Sequence, residues 1–75
     1  MKYIIVENKL PILFPDDISH KQMARGLNVT SAGFSVYDPC DNVMICFGES
    51  CSIGVKSQPK DDENIINNFL RLRDL

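Results

Sequence analysis

Two apolar runs, Ser31-Ala32-Gly33-Phe34-Ser35-Val36-Tyr37 and Val43-Met44-Ile45-Cys46-Phe47, flank the segment Asp38-Pro39-Cys40-Asp41-Asn42. Asp followed by Pro suits the first two positions of a type I turn, and Asn42 tolerates a positive φ. Longer hairpin loops are most often built around such a turn. Residues 31–47 are therefore predicted to form a β-hairpin, against which every other element must be placed. The apolar pattern chooses a register. Pairing Val36 with Val43 sets Phe34 opposite Ile45 and Ala32 opposite Phe47, so that all six side chains share one face, whereas a slip of one residue mixes it. That face is assigned to the core. The other face, Gly33, Ser35, Met44 and Cys46, is small, flat and moderately apolar, and is expected to be partly exposed.

Residues 2–7 are rich in β-branched and aromatic types and predict a strand, with Tyr3 and Ile5 alternating against Ile4 and Val6. Both faces are apolar, as in a strand covered on both sides, or on one side with a partner on the other. Asn8-Lys9 is expected to turn the chain. Residues 10–14 are apolar again, but Pro11 cannot donate to a ladder, so this stretch is either an edge strand or an extended arm. Ser19 stands three residues before Gln22, the capping-box spacing, with Ile18 and Met23 as the hydrophobic-staple pair. A short helix near 19–25 follows, ended by Gly26. Residues 52–56 are expected to add a short strand with Ile53 and Val55 pointing the same way. From about Pro59 to about Arg73, Ile65, Ile66, Phe69 and Leu70 recur at helical spacing. Asp61, Asp62 and Glu63 in the first turn, with Arg71 and Arg73 in the last, complement the helix dipole. This amphipathic helix is expected to cover the hairpin's apolar face. The fold class is thus α+β: a small antiparallel sheet made of hairpin 31–47 and an N-terminal strand, packed by a C-terminal amphipathic helix.

At 75 residues, the chain is expected to be a single domain, 1–75. A chain this short buries only roughly 60% of its unfolded surface, and is often completed by a staple or a partner. Its 44% hydrophobic content is too high for a disordered chain. The net charge is −2 and the eight basic residues are scattered, so no nucleic-acid partner is expected. The apolar start Met1–Val6 is broken by Glu7, Asn8 and Lys9 well short of an export signal, and no run approaches the ~20 residues of a membrane span. A cytoplasmic location without membrane contact is the expectation, and the odd count of three Cys fits a reducing compartment.

The residues that could carry chemistry have structural explanations. Cys40, Cys46 and Cys51 lack the tight pairing of zinc knuckles. A thiol nucleophile needs a base, and His20, the single histidine, is predicted at the first position of a short helix, facing solvent. Asp16-Asp17 and Asp61-Asp62 fall at helix starts, where Asp serves capping and the dipole. Gly48 to Gly54 does not have phosphate-loop spacing. No enzymatic activity, cofactor or metal is expected.

Three segments carry a resemblance: Pro11-Ile12-Leu13-Phe14-Pro15-Asp16-Asp17-Ile18-Ser19-His20, Ser31-Ala32-Gly33-Phe34, and Cys46-Phe47-Gly48-Glu49-Ser50 followed by the helix start near 57–63. They resemble segments of small accessory proteins of phage and prophage genomes whose function is unsettled. The resemblance implies an accessory role in a mobile element and transfers no catalytic residues. The expected function is that of a non-enzymatic phage-type protein which binds a host protein or complex in the bacterial cytoplasm. Its concrete form is an inhibitor of a defence complex, such as an anti-CRISPR, acting by steric occlusion through Gly33, Ser35, Met44 and Cys46. In the competing arrangement, residues 10–14 or the short helix cover that face within the monomer. One alternative is a self-associating structural or virion-related protein, a homo-oligomer held by the same face. Another is a small thiol or metal protein using Cys46, Cys51 and His20.

Overall fold

Tyr3, Ile4, Ile5 and Val6 are all buried, because β1 (Lys2–Val6) lies inside a four-stranded antiparallel sheet and is covered on both faces. The computed structural model describes residues 1–73, with side chains described as far as Arg71; the expected dipole role of Arg73's side chain lies outside the described residues. The sheet runs β2 (Leu10–Phe14), β1, β3 (Val29–Asp38), β4 (Val43–Phe47) in space. A helical turn, α1 (His20–Met23), precedes β3. A two-stranded ribbon, β5 (Glu49–Ser50) with β6 (Val55–Lys56), follows β4, and α2 (Pro59–Arg73) ends the described chain. The α+β fold, with a small antiparallel sheet packed by a C-terminal helix, is the one expected.

Several local expectations hold. Gln22 N–H donates to Ser19 Oγ at 3.1 Å and Ser19 N–H to Gln22 Oε1 at 3.0 Å, closing the capping box. The helix is shorter than the expected 19–25: it covers His20–Met23 with Ala24 as its C-cap, so Gly26, at φ 75°, shapes the turn beyond it rather than ending the helix. Between β1 and β2, Glu7 and Asn8 both have positive φ, and Lys9 N–H closes on Val6 O at 3.1 Å. The strand expected at 52–56 is shorter. Residues 51–54 form the turn of the β5–β6 ribbon, which places Ile53 and Val55 on the same cluster.

The hairpin is present, but its register is shifted by two. Val36 pairs with Ile45, Phe34 with Phe47, and Asp38 with Val43. The loop therefore spans only residues 39–42. Asp38 Oδ1 accepts the Cys40 N–H at 2.9 Å, Asn42 sits at φ 56°, and its Oδ1 accepts the Tyr37 hydroxyl at 2.5 Å. These turn bonds favour the tighter loop over the pairing that maximised apolar matches. A shift of two preserves which side chains share a face.

The assignment of core and open face is reversed for most of the hairpin: Val36, Ile45 and Phe47 are exposed and Phe34 and Val43 half-buried, while Ala32 alone of the expected core face is fully buried. The α2 helix lies on the face carrying Met44 and Cys46. Ile66 of α2 packs into one cluster with Tyr3, Ile5 and Cys46, joined by Leu13, Met44, Ile65 and Leu70. Ile4, Val6, Phe14 and Ala32 form the second cluster on the opposite face, beneath Ile18, Met23, Ile53 and Val55 from α1, its approach and the ribbon. The reason is that β1 supplies apolar residues to both faces, so the hairpin pattern alone does not determine the helix side. Gly33 reinforces the placement: a Cβ there would stand 2.5 Å from Phe47 O and 3.2 Å from Ser57 Cβ, just before α2.

Both sheet edges are protected. Ser35 N–H donates to Met1 O at 2.7 Å, so odd-numbered residues of β1 bond to β3 and even-numbered ones to β2. Pro11, opposite Ile5, therefore turns its donor-free nitrogen outward on the β2 edge. On the β4 edge, Met44 N–H donates to Asn67 Oδ1 at 2.8 Å and Asn67 Nδ2 donates to Met44 O at 3.1 Å. Cys46 N–H donates to Glu63 Oε2 at 3.0 Å.

Candidate interaction face

Gly33, Ser35, Met44 and Cys46, the face expected to bind a partner, lie on the α2 side. Gly33, Ser35 and Cys46 are buried, and Met44 is half-buried against the first cluster. The monomer covers this face with a third option, the C-terminal helix, rather than with β2 or α1. The cover is partly polar. Tyr3 Oη donates to Asp62 Oδ2 at 2.5 Å, and Gln58 N–H donates to the same oxygen at 2.8 Å. The Cys46 thiol donates weakly to Ser35 Oγ at 4.0 Å. Asp62, at 1% exposure, fastens the start of α2 to the sheet.

Burial, with the Asp62 carboxylate next in effect, raises the Tyr3 phenol far above its ordinary value of 10.0. Burial likewise pushes the Cys46 thiol up to about 11 from 9.0; the Ser35 hydrogen bond offsets part of this, and the Asp62 charge adds to it. A thiol held protonated is a poor nucleophile. Both shifts also set an alkaline limit. Above pH 9 the unfolded chain releases protons that the folded chain keeps, so unfolding is favoured. This contribution leaves stability at neutral pH unchanged and erodes it as pH climbs from 9 towards 11. The thermal midpoint should fall across that range, with Tyr3→Phe flattening the upper part. A midpoint that stays level from pH 9 to 11 contradicts the assignment.

The residues of the thiol or metal alternative are not brought together. Cys46 faces α2, while His20 is buried on the opposite face of the sheet and Cys51 is exposed in the ribbon turn. The solvent-facing position expected for His20 is corrected. Its ring stands edge-on to Phe14 and Phe34 at 5.5 and 5.6 Å, and Nε2–H donates to Gly33 O at 2.9 Å. The carbonyl only accepts, so Nε2 holds the proton. Among the described residues, no three His, Cys, Asp or Glu side chains are grouped to hold a metal. A cleft of about 390 Å³ between β1, β3 and α2 is lined in part by Asp62, whose Oδ2 is committed to Tyr3 and Gln58.

The opposite face of β3 and β4 is open beyond α1 and the ribbon. Val36 is 48% exposed, Ile45 37% and Phe47 47%, and Phe47 stacks on half-buried Phe34 at 5.9 Å. Gly48, at φ 79° and against the Phe34 ring, swings the chain off β4 into the ribbon and leaves this patch uncovered. Alternation places Asp38 at one end of it. The alternation of the hairpin sequence groups these side chains on one face, which the structure leaves largely open instead of making it core.

No family model, curated protein or solved structure matches this chain. Among the described residues, no helix is long and apolar enough to cross a membrane.

Proposed function

We propose that this chain is a non-enzymatic protein-binding domain whose contact surface is Phe34, Val36, Ile45 and Phe47. The observation that carries the proposal is the contiguous apolar exposure of Val36, Ile45 and Phe47 beside Phe34 on two paired strands, in a domain whose two clusters bury most of the remaining apolar sheet residues. Such patches mark interaction sites. A standard interface buries about 800 Å² per partner, more than four partly exposed side chains offer, so the patch serves as the apolar centre of a larger contact. In its specific form, the domain docks this face on a host protein or complex and occludes it, as an inhibitor of a bacterial defence complex would. Occlusion requires a rigid face and no reacting group.

The test uses the tagged chain against bacterial lysate, beside Phe47→Asp on the patch and Leu27→Asp, an exposed residue outside it. The wild-type and Leu27→Asp chains should capture the same stoichiometric partner, while Phe47→Asp weakens its binding by roughly 30-fold or more, the scale of a central hot spot. Absence of a stoichiometric partner, or equal capture by Phe47→Asp, rejects the proposal. If the patch instead joins two copies, light scattering gives a dimer that Phe47→Asp dissociates, and the self-associating alternative replaces it.

A further inference from the structure

The β4 strand, Val43-Met44-Ile45-Cys46-Phe47, is apolar, uncharged and free of Gly and Pro. Such a segment on a sheet edge is a template for pairing with another strand. Because Ser35 bonds towards β1, the pairs Ser35–Cys46 and Tyr37–Met44 are the non-bonded pairs of the β3–β4 ladder, so Met44 and Cys46 turn their backbone groups outward. Two α2 side chains, one turn apart, meet these groups. Asn67 takes both the N–H and the carbonyl of Met44, as a neighbouring strand's peptide would, and Glu63 takes the N–H of Cys46. Asn67 is itself held by its Nδ2 donating to Glu63 O at 2.8 Å. Beyond them, Ser57 N–H and Oγ–H both donate to Gly48 O.

We propose that the β4 edge is a strand-pairing site for a second copy of this chain, held closed by Glu63 and Asn67. The edge is self-complementary. With those side chains removed, two β4 strands pair antiparallel, Met44 opposite Cys46 of the other copy, with Ile45 on the two-fold axis. The strand has no charge to oppose its own approach. This site is the backbone edge of the sheet and does not depend on the apolar face proposed above.

The experiment compares wild type, the double variant Glu63→Ala/Asn67→Ala, and Met23→Ala, which loses packing on the opposite sheet face and controls for destabilisation alone. Light scattering on folded samples should show wild type and Met23→Ala as monomers in a Val36→Asp background, which places the charge on β3, off the pairing strand, and removes face-mediated association. In the same background, the double variant should rise with concentration to about twice the monomer mass. Amide exchange at Met44 and Cys46 should slow as that dimer fills. A folded double variant that stays monomeric overturns the proposal. So does a dimer in which those two amides exchange as in the monomer, or equal association by Met23→Ala. Should the double variant fail to fold, Asn67→Ala alone frees both Met44 groups and must show the same dimer in weaker form; a folded, monomeric Asn67→Ala then overturns the proposal.

Discussion

Asp62→Ala should lower stability by about 2–4 kcal/mol, from the loss of acceptors for two donors. The carboxylate takes the Tyr3 hydroxyl and the Gln58 N–H on one oxygen and is 1% exposed. Alanine leaves the phenol beneath α2 without this acceptor and creates a cavity between helix and sheet. A chain of 75 residues has a total stability of roughly 4–11 kcal/mol, so the loss is a large part of the whole. The thermal midpoint should drop by about 8–32 °C, at 4–8 °C per kcal/mol for a domain of this size. Asp61→Ala is the internal comparison, since that neighbour is exposed and its loss should cost within about 0.5 kcal/mol. Denaturant melts of the two variants decide the matter. Equal midpoints would mean that the Tyr3–Asp62–Gln58 connection does not hold α2 to the sheet.

Asp62 also shows what the sequence reveals and what it conceals. Its place four residues before Ile66 puts it on the buried stripe of α2, a signal legible in the helical spacing. The general preference for acidic residues in a first turn is a sufficient explanation of it, and the apolar residues alone already define a stripe. Elements governed by local rules are readable: the Ser19–Gln22 cap, the restriction of any strand at 10–14 to a sheet edge by Pro11, the apolar character of both faces of β1, and the extent of α2. Features set by contacts distant in sequence are not. The burial of His20 depends on Phe14, Phe34 and the Gly33 carbonyl meeting around one ring, which no spacing announces. The side of the sheet taken by α2 depends on how β1 and β2 add to the hairpin. An alternating strand pair specifies which residues share a face, but either face can be covered when the central strand is apolar on both.

Cys46 and Phe47 are neighbours in sequence on opposite faces, and aspartate at each should give opposite outcomes. Cys46 is 3% exposed, under α2 and close to Ser35. An aspartate there is an added buried carboxylate beside Asp62 and Glu63, with no cation among its described neighbours to neutralise it. Its effective cost is several kcal/mol, comparable with the whole stability of the domain, and Cys46→Asp should be largely unfolded at neutral pH. Acidification should restore part of the fold by protonating the new carboxyl. Phe47 is 47% exposed and loses chiefly its stacking on Phe34. Phe47→Asp should remain folded, with a loss of about 1–2 kcal/mol for partial burial and one aromatic pair. Circular dichroism and thermal melts separate the two directly. Had α2 covered the Phe34–Phe47 face, the ranking would invert, with Phe47→Asp unfolded and Cys46→Asp tolerated. The same pair links stability to binding: the substitution that leaves the fold intact is the one that places a charge at the centre of the proposed contact, so a loss of partner in Phe47→Asp reports on the face and not on unfolding.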